Sequence, residues 1–356
     1  MSKSTRKATQ QLEAIAALMT GQNVVLGGIA WSIFTLLFFM LFSITPPGQD
    51  APYWYLYGTY ILETAPFFLA TWLCYRNWQS TQIVSGREVW LFIGLGMACY
   101  SIGNVLFGIW ELGFGLDPEI SPADFFYLSF TVLVGWGMIL AVLIRRLNLE
   151  VRQWLIIAGI AAAGILLSFW VSFGTEDQDA LRLPRAIPVA YAQAPAPQAP
   201  PAPADPNAPP APADPAAVPP AAVPPAAVPE SEEANAPGFI LALDDVLSNF
   251  ANPVNAFYTI SDVALMIIAA TLLLAFWGGR FSQSWRMIAA AALAKYVADL
   301  AFKLATKLPG DYESGGLFDV FYVFSGVLYC MGAALEFDVS TSSRSGRGRR
   351  RRGGST

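Results

Sequence analysis

The sequence predicts an all-α polytopic membrane protein, with eight transmembrane helices forming two parallel four-helix repeats and a disordered Pro/Ala-rich linker. Three observations predict it. The 356-residue chain is 55% hydrophobic and only 13% charged, whereas a soluble globular chain carries about 25% charged residues. Eight apolar stretches reach the ~20 residues that cross ~30 Å of hydrocarbon. The second half of the chain also repeats a pattern of the first.

The eight stretches are 24–44, 57–75, 89–110, 123–143, 154–173, 257–277, 285–304 and 317–337. Basic residues gather in alternate loops. Lys3, Arg6 and Lys7 precede the first span, and Arg76 and Arg87 follow the second. Arg145, Arg146 and Arg152 follow the fourth, Arg280 and Arg286 the sixth, and Arg344, Arg347 and the run 349–352 the eighth. The opposite loops hold Asp50, then Glu111, Asp117 and Glu119, then Glu176, Asp177 and Asp179. Lysine and arginine near span ends stay cytoplasmic. Both termini are therefore expected in the cytoplasm of a cell with the protein in its inner membrane, which requires an even number of spans. Lys303 and Lys307, in the last outer loop, run against this pattern. The first apolar run is long and lacks a cleavage sequence, so no cleavable signal is expected. The small-residue run 190–194 resembles one, but it reads as the start of the linker.

These boundaries divide the chain into a first four-helix repeat (1–147), a fifth helix opening the second repeat (148–173), a linker (174–237), helices six to eight (238–338) and an Arg-rich tail (339–356). The linker repeats Pro-Ala-Ala-Val-Pro. Such a composition buries no core and is expected to be disordered or polyproline II, a spacer on the outer face. After it, Phe239, Leu243, Val246, Leu247 and Phe250 recur at helical spacing, with Asp244 and Asp245 on the other face. That pattern predicts a short amphipathic helix at the membrane surface.

The duplication is gap-free over two pairs of spans. Adding 195 carries Trp90, Asn104, Phe107, Asp124, Phe126, Tyr127 and Gly137 onto Trp285, Asp299, Phe302, Asp319, Phe321, Tyr322 and Gly332. After a small gap, Glu63-Thr-Ala matches Asp262-Val-Ala. Each half holds four spans, so both enter from the same side and are parallel repeats.

Charges inside a bilayer cost about 2.5–3.5 kcal/mol each on insertion scales and persist where they face the bundle interior or water. Glu63, Asn104, Asp124, Asp262, Asp299 and Asp319 all fall in the outer half of their spans. Lys295 and Asp299 are four apart and share a helix face; their matches are Tyr100 and Asn104. Asp262, Lys295, Asp299, Asp319, Glu63, Asn104 and Asp124 are thus the candidate ligand-binding set. For Asp124 and Asp319 helix capping is an equal alternative.

The chain has no histidine, and its three cysteines lie in apolar runs without metal or redox spacing. No phosphate loop, HExxH or GxSxG is present. No catalytic residue, metal site or cofactor is expected. Arg347, Arg349, Arg350, Arg351 and Arg352 form a cytoplasmic patch suited to anionic lipid heads; without interleaved aromatics it does not predict nucleic-acid binding.

The segments Pro122-Ala-Asp-Phe-Phe-Tyr-Leu and Phe318-Asp-Val-Phe-Tyr, with Asp262 and Asp299, resemble the multi-helix membrane input domains ahead of bacterial diguanylate cyclases and histidine kinases. The resemblance implies an outward-facing sensor bundle that signals through a separate membrane or cytoplasmic partner, because no output domain follows residue 337. The expected function is a non-enzymatic sensor or assembly protein that binds a small ligand, ion or partner helix in an outer polar pocket. The alternatives are a small-solute or proton-coupled transporter and a scaffold subunit.

Overall fold

Apolar chain inside a bilayer must close its own backbone hydrogen bonds, and helices do so within one segment. The structure, a computed structural model, describes residues 19–44, 51–116, 120–144, 150–173, 236–276, 282–306 and 314–352, with side chains to 342 in the last segment. Most of the linker, with its 190–194 run, lies outside these residues, as do Lys307 and the basic residues before the first span.

Each expected span is a helix. They are α1 Gly21–Phe42, α2 Tyr53–Gln79, α3 Arg87–Gly108, α4 Ala123–Ile144 and α5 Val151–Phe173, then α7 Ala251–Ala275, α8 Ser282–Ala305 and α9 Val320–Arg352. A π-helical turn, Ile109–Gly113, extends α3, and a 3-10 turn, Leu317–Asp319, leads into α9. The short amphipathic segment is α6, Gly238–Ser248, whose Asp244 accepts a hydrogen bond from Trp110 Nε1 at 3.4 Å. The α9 backbone stays helical to Arg352, through residues whose sequence reads as a disordered tail.

Among the described residues, six helices are long and apolar enough to cross a membrane: α1, α3, α4, α5, α7 and α9. This is the mark of a multi-pass helical membrane protein. The other two expected spans, α2 and α8, match them in length but not in apolarity. α2 opens on a run of polar-tipped aromatic residues, Tyr53, Trp54, Tyr55, Tyr57 and Tyr60, and carries Glu63 and Arg76. α8 carries Arg286, Lys295, Asp299 and Lys303.

Packing explains where those polar helices sit. α2 packs on α3, α3 on α4, α4 on α7, α7 on α8, α8 on α9, and α9 back on α2, closing a ring of six. α1 lies outside the ring on α9, and α5 lies outside it on α7. Burial follows: 56% of the central α3 segment is buried but only 17% of α1. Leu26, Ile33 and Leu41 on α1, and Leu155, Leu166 and Phe169 on α5, are exposed, as lipid-facing residues should be. At one end of the ring the starts of α2 and α9 meet through Tyr55, which donates to Gly315 O. The starts of α4 and α7 meet there too, where Tyr258 donates to Asp124 Oδ1 at 2.7 Å. Glu111 lies at this end, and Arg76 and Arg87 lie at the other.

Two glycines set how closely the helices approach. A Cβ on Gly137 would lie 3.1 Å from Val89 O, and one on Gly332 3.2 Å from Ser284 O and 2.5 Å from Ile288 Cδ1. Gly332→Val should therefore overpack the α8–α9 contact and destabilise the protein by about 1–3 kcal/mol. Gly27→Ala, where a Cβ meets nothing within 4 Å, should leave stability unchanged or slightly raised. Thermal unfolding of both variants in detergent checks the pair; equal melting points would mean that the close approach is not required.

Candidate functional site

Ionisable side chains on helices with lipid on one side have one favourable direction, inward. The ring collects them into two clusters near the acidic-loop end. The first is built on α7, α8 and α9. Lys295, only 4% exposed, is ion-paired with Asp299 one turn along α8 and lies 3.7 Å from Asp262 Oδ1 on α7. Lys303 reaches Asp262 Oδ2 at 3.1 Å and Thr259 Oγ1 at 3.2 Å. From α9, Tyr322 donates to Asp299 Oδ1 at 2.9 Å. Two carboxylates and two ammonium groups thus neutralise one another between α7 and α8. Lys303, the charge that ran against the loop pattern, points into this cluster rather than acting as a free loop cation.

The second cluster is built on α2, α3 and α4 and has a different chemistry. Glu63 Oε1 accepts from Tyr100 OH at 2.7 Å and from Asn104 Nδ2 at 3.0 Å. The same Nδ2 lies 3.3 Å from Thr64 Oγ1, and Asn104 Oδ1 accepts from Tyr127 OH at 2.8 Å. Every partner of this carboxyl group is neutral. Tyr100 stacks on Phe67 at 3.9 Å and lies 6.5 Å from Tyr322 between ring centroids. Lys295 Nζ sits 5.7 Å from the Phe130 ring, itself 5.1 Å from Tyr100. The two clusters therefore adjoin across the ring through an aromatic wall, and together they are an asymmetric polar site with its cations on one side.

Of the seven candidate residues, Asp262, Lys295 and Asp299 come together in one cluster, and Glu63 and Asn104 in the other. Asp124 and Asp319 stand apart as caps. Asp124 Oδ2 accepts from Ser121 N at 2.7 Å and Asp319 Oδ2 from Gly315 N at 2.9 Å, each tying down the turn before its helix. Asp124 also binds Tyr258, so it links halves of the ring as well as capping. Tyr322, Tyr127, Lys303 and Thr64 belong to the site although residue type did not single them out. A signal existed for the tyrosines, since each closes an Asp-x-Phe-Tyr string and lies 23 residues beyond the residue it binds. The basic side chains of the run 347–352 lie outside the described residues.

No known family model matches the chain, and no curated protein or solved structure is significantly similar to it.

Removing one partner of a buried ion pair costs about 3–5 kcal/mol because the other charge is left uncompensated. Lys295→Met should therefore destabilise strongly, and Lys295→Met with Asp299→Asn less than Lys295→Met alone. Tyr127→Phe loses a neutral bond and should cost about 1 kcal/mol. Chemical unfolding of wild type and these three variants is the measurement; a double variant less stable than Lys295→Met alone would show that the groups do not act as a pair.

Proposed function

We propose that this chain is an eight-span inner-membrane bundle of two parallel four-helix repeats, with both termini cytoplasmic. It acts without catalysis as a sensor-like receptor for a small ligand or ion at the outer site. The observation that carries the reading is the matched pair of clusters, one neutralised by its own lysines and the other an acid held by neutral donors.

The repeat is supported by contacts that recur in the same register. Tyr127 to Asn104 and Tyr322 to Asp299 are bonds between matched residues. Gly137 approaches Val89 O as Gly332 approaches Ser284 O. α2 packs on α9 as α7 packs on α4. The matched tryptophans Trp90 and Trp285 lie 6.0 Å apart, as residues beside a pseudo-twofold axis should. The halves differ where function would make them differ. Tyr100 is matched by Lys295, and Gly108, against which the Tyr60 ring packs, is matched by Lys303. In the second half the cations belong to the chain; in the first half Glu63 has none, and a cation or a proton is the occupant that its charge favours. Asp319 and Asp299 nearby, together with the acidic outer loops, favour the same sign. The symmetry is also broken outside the ring. α1 covers Val320, Val327 and Met331 of α9, whereas the matched Phe125, Val132 and Trp136 of α4 are left bare or half bare. That bare face leaves room for the partner helix of an assembly role.

A thermal-shift screen of the purified protein against alkali and alkaline-earth cations and small amines tests the receptor reading. Wild type should be stabilised by at least one of them, and Glu63→Gln should lose the shift while melting normally without ligand. Absence of any shift in wild type, or an equal shift in Glu63→Gln, would sink it.

A further inference from the structure

One face of α9 carries polar side chains along its whole length within the ring. Tyr322, Ser325, Tyr329, Glu336 and Ser340 fall within a sixth of a turn of one another and cover about 27 Å at 1.5 Å per residue, close to the ~30 Å hydrocarbon thickness. Apart from the half-buried Tyr322 at the site, all are at most 1% exposed. Tyr322 starts the stripe with its bond to Asp299. Ser340 ends it, 3.4 Å from Glu336 Oε1 and accepting Val84 N at 3.3 Å. In α4 the matched positions after Tyr127 are Phe130, Val134 and Ala141, an ordinary apolar core.

The interior of this stripe is short of partners. Ser325 Oγ and Tyr329 OH are buried with no hydrogen bond. Asn77 on α2 donates to Ala333 O at 2.9 Å, between Tyr329 and Glu336, while its buried Oδ1 accepts nothing. Trp285 Nε1 on α8 is also buried without an acceptor, next to Ser284, whose Oγ donates to Gly332 O at 2.8 Å. Orphaned polar atoms at this burial are rare in folded proteins unless water bridges them. Here they line one column from α2, α8 and α9.

We propose that this column holds a chain of internal waters and conducts protons between the outer site and the Arg-loop end, with Glu336 as the inner proton acceptor. Hydroxyls and water each donate and accept, so transfer makes and breaks only O–H bonds. A proton joins the Asp299 carboxylate at one end, successive hydroxyls and waters each pass one on, and a different proton leaves Glu336. Asn77 and Trp285 hold waters without titrating. The charged groups at that end of the neighbouring helices are Arg76 on α2, Arg286 on α8 and Asp338 on α9. Arg76 is held against the Phe337 ring at 4.0 Å and donates to Met19 O at 2.9 Å. The inference rests on the outer site only for its mouth.

The test is proton uptake into proteoliposomes loaded with a pH-sensitive dye, driven by a potassium diffusion potential with valinomycin. Wild type should acidify the lumen faster than protein-free vesicles. Tyr329→Phe and Glu336→Gln should fall to the protein-free rate. A wild-type rate equal to that of empty vesicles, or undiminished rates in both variants, overturns the proposal. Hydroxyl-radical footprinting of wild type needs no variant to fold. Tyr329 should be oxidised well above Phe39, which is equally buried in the apolar contact between α1 and α9; equal oxidation overturns the water column. Flux retained while the cation shift is absent removes only the receptor reading. The cation shift retained without flux removes only this one.

Discussion

The ammonium group of Lys295 is buried, and the ring around it supplies two carboxylates in place of bulk solvent. Its pairing with Asp299 and its 3.7 Å approach to Asp262 require α7 and α8 to pack in one register. Tyr322 on Asp299 adds α9 to the same constraint. In a low-dielectric interior an unpaired charge is costly while a fully bonded cluster fixes its neighbours. α8 is too polar to lie against lipid on all sides, and the closed ring buries its charged face.

The α2–α4 cluster is built from neutral groups around one acid. Tyr100 and Asn104 both donate to Glu63. Phe67, Tyr100, Phe130 and Tyr322 fill the space between, so the two halves touch through rings rather than through charge. One cluster thus has its charges compensated by its own lysines. The other holds a single acid, Glu63, among neutral donors.

Much of this was legible in the chain. The six apolar helices could be read because a bilayer imposes length and apolarity, and both are visible residue by residue. The pairing of Lys295 with Asp299 could be read because four residues is one helical turn. Asp124 and Asp319 could be placed at helix starts, but not assigned between capping and binding. That choice depended on Ser121, Gly315 and Tyr258, none of them predictable as a neighbour. Lys303 was read as a loop charge because its depth depends on where α8 ends, and Glu336 drew no notice because one acid near a helix end is ordinary.

What the sequence determined by itself was local and periodic: helices and their polar faces. It could do so because the hydrophobic effect and helix geometry act on neighbours within a few turns. What only the tertiary structure decided was which faces meet. That Asn77 lies over Ala333, that α1 covers α9 while α4 stays bare, and that five polar residues of α9 all turn into the ring depend on contacts between residues far apart in the chain, and these have no signature at any single position.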